Sequence, residues 1–248
     1  MEQHKIVSRE EWLAARKALL AREKELTHLA DEVAAARLAM PWVKVEKSYV
    51  FDTLRGRKTL AELFDGRSQL IVYHFMFAPG WTEGCPGCSF LADHIDGANL
   101  HLAHHDVTLM VVSRAPLAEI LPFRKRMGWR FDWASSHDTD FNSDYGVSFT
   151  KEDLAKGPTF YNFERREKQE EGEAPGTSVF YKNEAGEVFH TYSSYARGGD
   201  VMIGAYNWLD IAPKGRNEAE IMDWMRHHDR YEERAADHCC GGAKEARG

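Results

Sequence analysis

Two cysteines separated by two residues, Cys85 and Cys88, form the CPGC element of the stretch GWTEGCPGCSFLADH. A thiolate can attack a disulfide, and a second thiol nearby can then release the mixed disulfide that forms. The same spacing also supplies two sulfur ligands for a metal ion. The pair therefore predicts thiol–disulfide exchange, half of a metal site, or two unreactive thiols.

The position of the CPGC element predicts different roles for its two sulfurs. It follows the apolar run QLIVYHFMF (69–77) and precedes a helical pattern. Free N–H groups and the dipole at a helix N-terminus favour a thiolate, so Cys85 is the expected nucleophile and Cys88 the buried resolving thiol. Pro86 suits the first helical turn, which can do without its N–H. Gly87 is expected to leave the approach open for a partner sulfur.

A metal site is the weaker interpretation of the cysteine pair. Structural zinc commonly takes four ligands, often from two spaced pairs. The other two cysteines, Cys239 and Cys240, are adjacent and lie in the tail. The histidines that could complete a site are better explained as solvated or structural residues: His74, His101, His104, His105, His227, His228 and His238. We therefore expect no metal and no cofactor, because the electrons would reside in the cysteines.

Composition narrows the partners and the location. The 248-residue chain carries a net charge of −7, which argues against nucleic acid or an anionic membrane as a partner. No apolar run is long enough to span a bilayer, and the start MEQHKIVSREEW lacks a secretory apolar segment. We expect a cytoplasmic protein, where thiols are kept reduced. The expected partner is a protein or small-molecule thiol or disulfide.

The elements around the cysteines predict an α/β domain. Two buried strands, at 69–77 and 107–114, alternate with helical patterns, which is typical of βαβ units with a parallel sheet. A hairpin is expected in TSVFYKNEAGEVFHTYSSY, with its turn at 183–186. The segments DVMIGAYNWLDI and NEAEIMDWMRHHDRYEER are predicted as C-terminal helices.

Three parts of the chain are expected. Ser8 and Glu11 form a capping box that begins one long amphipathic helix over about 10–37. The predicted organisation is an N-terminal helical extension (1–42), a central domain (43–212), and a C-terminal helix with a flexible tail (213–248). The long helix is compatible with a homodimer, although its apolar face could equally cover its own domain.

The order strand, CPGC element, helix and strand resembles the thioredoxin-like fold. The segments HFMFAPGWTEGCPGCSFLAD, SRAPLAEILPFRKRMGW, DFNSDYGVSFT, SVFYKNEAGEVFHTYSSYARG and LDIAPKGRNE together resemble a bacterial thioredoxin-like family of unknown function. That family is described as predicted dithiol–disulfide oxidoreductases. The resemblance covers nearly the whole chain. It implies a central mixed sheet flanked by helices and a thiol–disulfide reaction, but no substrate.

The resemblance also implies a substrate groove. Thioredoxin-like proteins place a cis-proline beside the CxxC element, just before a strand that leads into a hairpin. Pro175 has that place in this sequence, with Pro158 as the competitor, and Ala174 would offer its backbone to an incoming peptide. The candidate groove residues are Trp81, Thr82, Pro86, Gly87, Ala174 and Pro175.

Two other functions remain open on the same fold. Peroxiredoxins carry PxxxTxxC, and Pro79, Thr82 and Cys85 form a version that is one residue shorter. A thiol peroxidase would use Cys85, with Arg114 or Arg197 as the activating arginine. The non-enzymatic alternative is a metal-binding or interaction protein.

Overall fold

The computed structural model describes residues 4–231. Backbone contacts divide the chain into two units, Met1–Val43 and Lys44–Gly248. The tail residues His238, Cys239 and Cys240, considered above as metal ligands, lie outside the described residues. The three-part organisation expected from the sequence stays a prediction.

The first unit contains one helix, α1 (Arg9–Leu38). Ser8 caps it: the Ser8 hydroxyl accepts a hydrogen bond from the Glu11 N–H at 3.2 Å, and the Glu11 carboxylate accepts one from the Ser8 N–H at 3.0 Å. This capping box satisfies two N–H groups that the helix itself cannot pair. The helix predicted over about 10–37 is confirmed. None of the helices in residues 4–231 has both the length and the apolar character needed to cross a membrane.

The main sheet has eight strands and mixed direction. They are β1 (Val43–Lys44), β2 (Val50–Thr53), β3 (Gly56–Thr59), β4 (Gln69–His74), β5 (Val107–Ser113), β6 (Trp133–Ser135), β11 (Gly176–Lys182) and β12 (Val188–Tyr195). Their spatial order is β1-β12-β11-β4-β5-β6-β2-β3. Two small antiparallel sheets join β7 (Ser148–Phe149) to β10 (Gly172–Glu173) and β8 (Thr159–Tyr161) to β9 (Glu164–Arg166).

The centre of the main sheet has the topology of a thioredoxin-like fold, as the sequence predicted. Strands β4 and β5 are parallel, β11 is antiparallel to β4, and β12 is antiparallel to β11. A parallel pair needs a crossover connection, and α2 (Pro86–Ala92) and α3 (Ile95–His104) supply it. The other helices are α4 (Leu117–Arg126), α5 (Phe141–Asp144), α6 (Lys151–Ala155) and α7 (Gly204–Asp210), with 3-10 turns at Leu60–Phe64, Ala196–Met202 and His228–Arg230.

The two faces of the sheet bury different hydrophobic clusters. Successive side chains of a strand point to opposite faces, so Tyr73 and Val72 on β4 belong to different clusters. The first cluster contains Tyr73 and Cys88 and collects aromatic rings around Trp133. The second cluster lies on the other face and includes Val72 and Phe141. The cysteine pair therefore belongs to one face of the sheet.

The helix predicted from Asn217 is wrong over the described part of that segment. Residues 217–231 form turns that end in the 3-10 turn His228–Arg230. Asn217 and Met222 have φ angles of 51° and 68°, a left-handed backbone that interrupts an α-helix. The turns bury His227, which is 2% exposed. In residues 217–231, burial against the rest of the domain therefore determines the backbone conformation, in spite of the helical periodicity of the sequence.

Candidate dithiol site

Local backbone hydrogen bonds fix Cys85 at the start of α2. Cys85 is the N-cap residue, and Pro86 occupies the first helical turn. The Cys85 N–H donates to Met76 O at 3.1 Å, on the loop that leaves β4. The Cys85 carbonyl accepts from both the N–H and the hydroxyl of Ser89, each at 2.9 Å. The strand end and the helix start therefore hold the nucleophile candidate from both sides.

The two sulfurs have different environments. Both thiols are free; Cys85 is half-buried and Cys88 is 3% exposed. A hydrogen bond from the Cys88 thiol, together with the N–H groups of Cys88 and Gly87, lowers the pKa of Cys85 to about 6 against the opposing effect of burial. Burial raises the pKa of Cys88 well above its ordinary value. At neutral pH the thiolate therefore resides on Cys85.

Tyr73 is a site residue that sequence reasoning missed. Its side chain is 5% exposed on β4, and its hydroxyl donates a hydrogen bond to the Cys88 sulfur. Burial raises the pKa of Tyr73, so the phenol remains protonated and acts as a donor. Met76 N–H also donates to the Cys88 sulfur, at 3.5 Å. Strand alternation could place Tyr73 on one face of the sheet but could not predict its contact with Cys88.

A cavity of about 240 Å³ opens beside the two sulfurs. Cys85, Cys88 and Tyr73 form one side of it. Apart from the Cys85 thiolate, Asp200 is the one residue with a charge among the described residues that line it, and its carboxylate accepts hydrogen bonds from Arg197 at 3.1 Å and Arg216 at 3.4 Å. Most other lining groups are apolar, and they include Leu91, Pro175, Ile203 and Met222.

Met222, in the C-terminal turns, lines this cavity. A Cβ placed on Gly87 would lie 3.2 Å from Met222 Sδ and 3.8 Å from Cys85 Sγ, so the Met222 thioether is next to the CPGC turn. His227 Nε2 donates to Gly84 O at 2.9 Å. Gly87, expected to leave an open approach, instead faces Met222.

Ion pairs attach the same turns to the loop before Cys85. The Glu83 carboxylate accepts from Arg126 at 2.6 Å and from Arg230 at 2.7 Å. Arg126 also pairs with Asp229 at 2.8 Å. No local sequence signal predicts these contacts, because the partners are far apart along the chain.

The predicted groove residues separate into two groups. Gly87 and Pro175 line the cavity with the two cysteines. Trp81 is 38% exposed, and it is not among the described lining residues. Thr82, Pro86 and Ala174 are also not among the described residues that line the cavity.

The expectation of a cis-proline is wrong for both candidates. No cis peptide bond occurs in residues 4–231, so Pro175 and Pro158 are both trans. The backbone at Pro175 is bound to its own chain: Ala174 N–H donates to Val147 O at 2.8 Å, and the Tyr161 hydroxyl donates to Pro175 O at 3.0 Å. These tertiary hydrogen bonds hold the segment beside the cysteines.

The two arginines considered for a peroxidase have other partners. Arg114 Nε donates to Glu173 Oε1 at 2.7 Å, and the Glu173 side chain is 2% exposed. Glu173 also accepts a hydrogen bond from Ser148. Arg197 is 68% exposed and pairs with Asp200. The lining of the cavity includes no arginine among the described residues.

The described chain offers few ligands for a metal at the cysteines. Within residues 4–231 no three side chains of His, Cys, Asp or Glu come together as a metal site. His74 lies on the opposite face of the sheet and bonds to Ser178 at 2.9 Å. His228 pairs with Asp93 at 2.7 Å, and His101, His104 and His105 are exposed at the end of α3.

Comparison with known proteins assigns the chain to a family. The model of the DUF899 family, described as bacterial protein of unknown function, matches residues 1–231. The chain therefore belongs to this family. A search of curated proteins finds no match.

Several solved structures are similar to part of this chain. A mutant of peroxiredoxin Q from Xanthomonas campestris has 16% identity and a TM-score of 0.44, and covers 64% of this chain and 90% of its own. Peroxidoxin BcpB from Mycobacterium tuberculosis has 13% identity and a TM-score of 0.42, covering 66% and 93%. A putative thiol:disulfide interchange protein DsbE from Chlorobium tepidum has 11% identity and a TM-score of 0.39, covering 67% and 98%.

Proposed function

We propose that this protein is a thiol–disulfide oxidoreductase in which Cys85 attacks and Cys88 resolves. One observation carries the proposal: the half-buried Cys85 sulfur, beside a cavity, accepts a hydrogen bond from the buried thiol of Cys88. A thiolate is the nucleophile in disulfide exchange. The pairing stabilises that thiolate and keeps the resolving sulfur within reach.

The reaction proceeds in two exchanges. The Cys85 thiolate attacks one sulfur of a substrate disulfide, a bond forms to Cys85 Sγ, and the other substrate sulfur leaves as a thiolate that takes a proton from water. Cys88 then loses its proton and attacks Cys85 Sγ; the bond from Cys85 Sγ to the substrate breaks, and the second substrate sulfur leaves as a thiolate that takes up the proton released by Cys88. The substrate gains two electrons, and the protein holds the Cys85–Cys88 disulfide until an external dithiol reduces it.

Tyr73 supports the second exchange. Cys88 must become a thiolate in order to attack, and burial opposes that ionisation. The hydrogen bonds from the Tyr73 hydroxyl and the Met76 N–H favour the thiolate form of Cys88. Tyr73 is therefore a positioning residue for the resolving sulfur.

A redox titration tests the proposal. The protein is equilibrated in graded glutathione buffers, free thiols are alkylated, and the cysteines are mapped by mass spectrometry. We expect a reversible Cys85–Cys88 disulfide with a potential between about −270 and −120 mV, the range of working oxidoreductases. If the two sulfurs never bridge, the dithiol mechanism is wrong.

Two serine variants separate the roles of the sulfurs. Cys88→Ser leaves the attacking thiol without a resolving partner, so a mixed disulfide should accumulate on Cys85. Cys85→Ser should form no mixed disulfide and should reduce no substrate. A double serine variant that retained activity would contradict both assignments.

The thiol peroxidase using Cys85 gains less support from this geometry. Peroxide cleavage expels a poor leaving group, which needs a positioned donor or positive charge. Arg114 forms an ion pair with Glu173, and Thr82 is not among the described residues that line the cavity. A thiolate leaving group does not need that assistance.

A further inference from the structure

The cavity beside Cys85 provides no cation for an anionic substrate. Among the described residues that line it, no lysine, arginine or histidine is present, and Asp200 is already paired with Arg197 and Arg216. A carboxylate moved from water into such a site loses hydration without gaining a partner. The apolar lining residues Leu91, Ile203 and Met222 instead favour an apolar group.

The backbone beside Cys85 is also poorly available to a peptide. An extended peptide binds by adding main-chain hydrogen bonds to a free edge. Here Ala174 N–H already donates to Val147 O, Pro175 lacks an N–H, and Pro175 O already accepts from Tyr161. Gly176 and Thr177 belong to β11, which pairs with strands on both of its sides.

From these observations we infer that the substrate of the dithiol is a small, uncharged disulfide whose apolar substituent occupies the cavity beside Cys85. This inference rests on the proposed function and names its substrate class. At about 240 Å³, the cavity is slightly below the range of roughly 300 to 1,000 Å³ that is typical of small-molecule sites. It suits a short alkyl or aryl group better than a peptide.

The chemistry follows the two exchanges already described. Cys85 Sγ bonds to the sulfur that carries the apolar substituent, and the substituent remains in the cavity during the mixed disulfide. Resolution by Cys88 releases it as a neutral thiol. One substrate disulfide becomes two thiols, and the protein becomes a disulfide that an external dithiol must reduce.

A comparison of three disulfides tests the inference. Reduced protein is mixed with dipropyl disulfide, with 3,3′-dithiodipropionate as a chain-matched dianion, or with insulin, and formation of the Cys85–Cys88 disulfide is followed by rapid alkylation and mass spectrometry. The ratio of rate constants for the neutral and dianionic compounds is compared with the same ratio for dithiothreitol. We expect the protein's ratio to be at least tenfold larger, and we expect dipropyl disulfide to react faster than insulin.

Two matched glycine variants test whether the apolar substituent of the disulfide occupies the cavity. A Cβ at Gly199 would meet Leu91 Cδ1 at 3.5 Å, an ordinary contact, so Gly199→Leu narrows the cavity. This variant should react with dipropyl disulfide at least fivefold more slowly than the parent. Its rate of Cys85 alkylation by iodoacetamide should stay within twofold of the parent's rate. Gly97→Leu, at an exposed position of α3 with nothing within 4 Å of the added Cβ, should change neither the rate with dipropyl disulfide nor the rate of alkylation.

A second variant keeps the inference falsifiable if Gly199→Leu does not fold. Met222→Gly removes an apolar wall at a position whose φ of 68° suits glycine. It should reduce the preference for the neutral compound at least threefold.

The outcomes distinguish the inference from the proposed function. A ratio equal to that of dithiothreitol, or faster reaction with insulin, overturns the small-substrate inference and leaves the dithiol mechanism standing. If no substrate produces the Cys85–Cys88 disulfide, the proposed function itself is wrong.

Discussion

Tyr73 and His74 are neighbours on β4, yet their side chains belong to two different buried polar clusters on opposite faces of the sheet. Tyr73 faces the cysteines, where several donors surround the two sulfurs and a cavity adjoins them. His74 is 1% exposed on the other face and stacks on Tyr145 with ring centroids 6.0 Å apart. Alternation along one strand therefore separates a reactive cluster from an enclosed one.

The His74 cluster is a chain of hydroxyl groups between two imidazoles. His74 Nε2 lies 2.9 Å from Ser178 Oγ, Ser178 Oγ lies 2.9 Å from Ser193 Oγ, and Ser193 Oγ lies 2.8 Å from His190 Nε2. Burial and the neighbouring His190 lower the pKa of His74 to about 3. His74 is therefore neutral at physiological pH.

The comparison shows that the surroundings decide what a buried titratable group does. Donors around Cys85 stabilise its charged form and lower its pKa in spite of burial. Burial, together with the neighbouring His190, disfavours the charged form of His74. At neutral pH the first cluster therefore holds a thiolate on Cys85, whereas the second holds a neutral imidazole on His74.

The largest expected effect concerns the ion pair near the reactive cluster. Arg114→Ala leaves the Glu173 carboxylate buried without its cation, and Glu173 adjoins the Ala174–Pro175 segment. We expect the free energy of unfolding to fall by about 3 kcal/mol, as for other broken buried pairs. Arg197→Ala, which breaks an exposed pair, should cost less than about 1 kcal/mol. Urea unfolding measures both, and equal losses would contradict the structural role of Arg114.

The enclosed cluster predicts an acid-dependent loss of stability. His74 has a folded-state pKa of about 3, while the unfolded chain takes up the proton near pH 6.5. The unfolded state therefore binds more protons between these values, so stability falls as the pH falls below about 6.5. Between pH 6.5 and pH 5 the loss should be about 2 kcal/mol.

A pair of histidine variants assigns that loss to His74. His74→Phe, measured by urea unfolding at both pH values, should remove most of the pH dependence even though it lowers stability overall. His101→Phe, at an exposed position on α3, should preserve the parent's pH dependence. If His74→Phe kept the full pH dependence, the cluster would not be the source.

The environment of Cys85 predicts that its alkylation rate has a midpoint at a lower pH than that of an ordinary cysteine. The rate of iodoacetamide addition to Cys85 should rise with pH to a midpoint near 6, because only the thiolate reacts and its pKa is lowered to about 6. At pH 7 the thiolate fraction should exceed that of an ordinary cysteine by about thirtyfold. Cys88→Ala removes the main donor and should move the midpoint upward. A parent midpoint above pH 8 would show that the donors do not act on Cys85.

The smallest expected effect tests Tyr73 against a tyrosine on the other face. Tyr73→Phe removes a donor to Cys88, so resolution of the mixed disulfide should slow about tenfold, which corresponds to one hydrogen bond. Tyr49→Phe, which loses a hydrogen bond of 2.7 Å to Asp144, should leave resolution unchanged. Single-turnover kinetics would measure both, and equal rates in the two variants would remove Tyr73 from the mechanism.

Much of the fold follows from local sequence signals. The capping box at Ser8 and Glu11 correctly begins α1. The β-rich runs predict β4 and β5, and the turn at 183–186 joins β11 to β12 as expected. The CPGC element lies at the start of a helix after a strand because proline and the helix terminus are local features. Each of these depends on residues within a few positions of one another.

Only the tertiary structure decided the surroundings of the two sulfurs. Tyr73 reaches Cys88 across the space between β4 and α2, and Met222 lies next to Gly87 although the two are far apart in sequence. The same long-range packing replaced the predicted helix from Asn217 with turns and committed the backbone at Pro175 to Tyr161. Periodicity reports which side of an element is buried. It does not report which distant segment buries it, and the pKa of Cys88 and the cavity both depend on such segments.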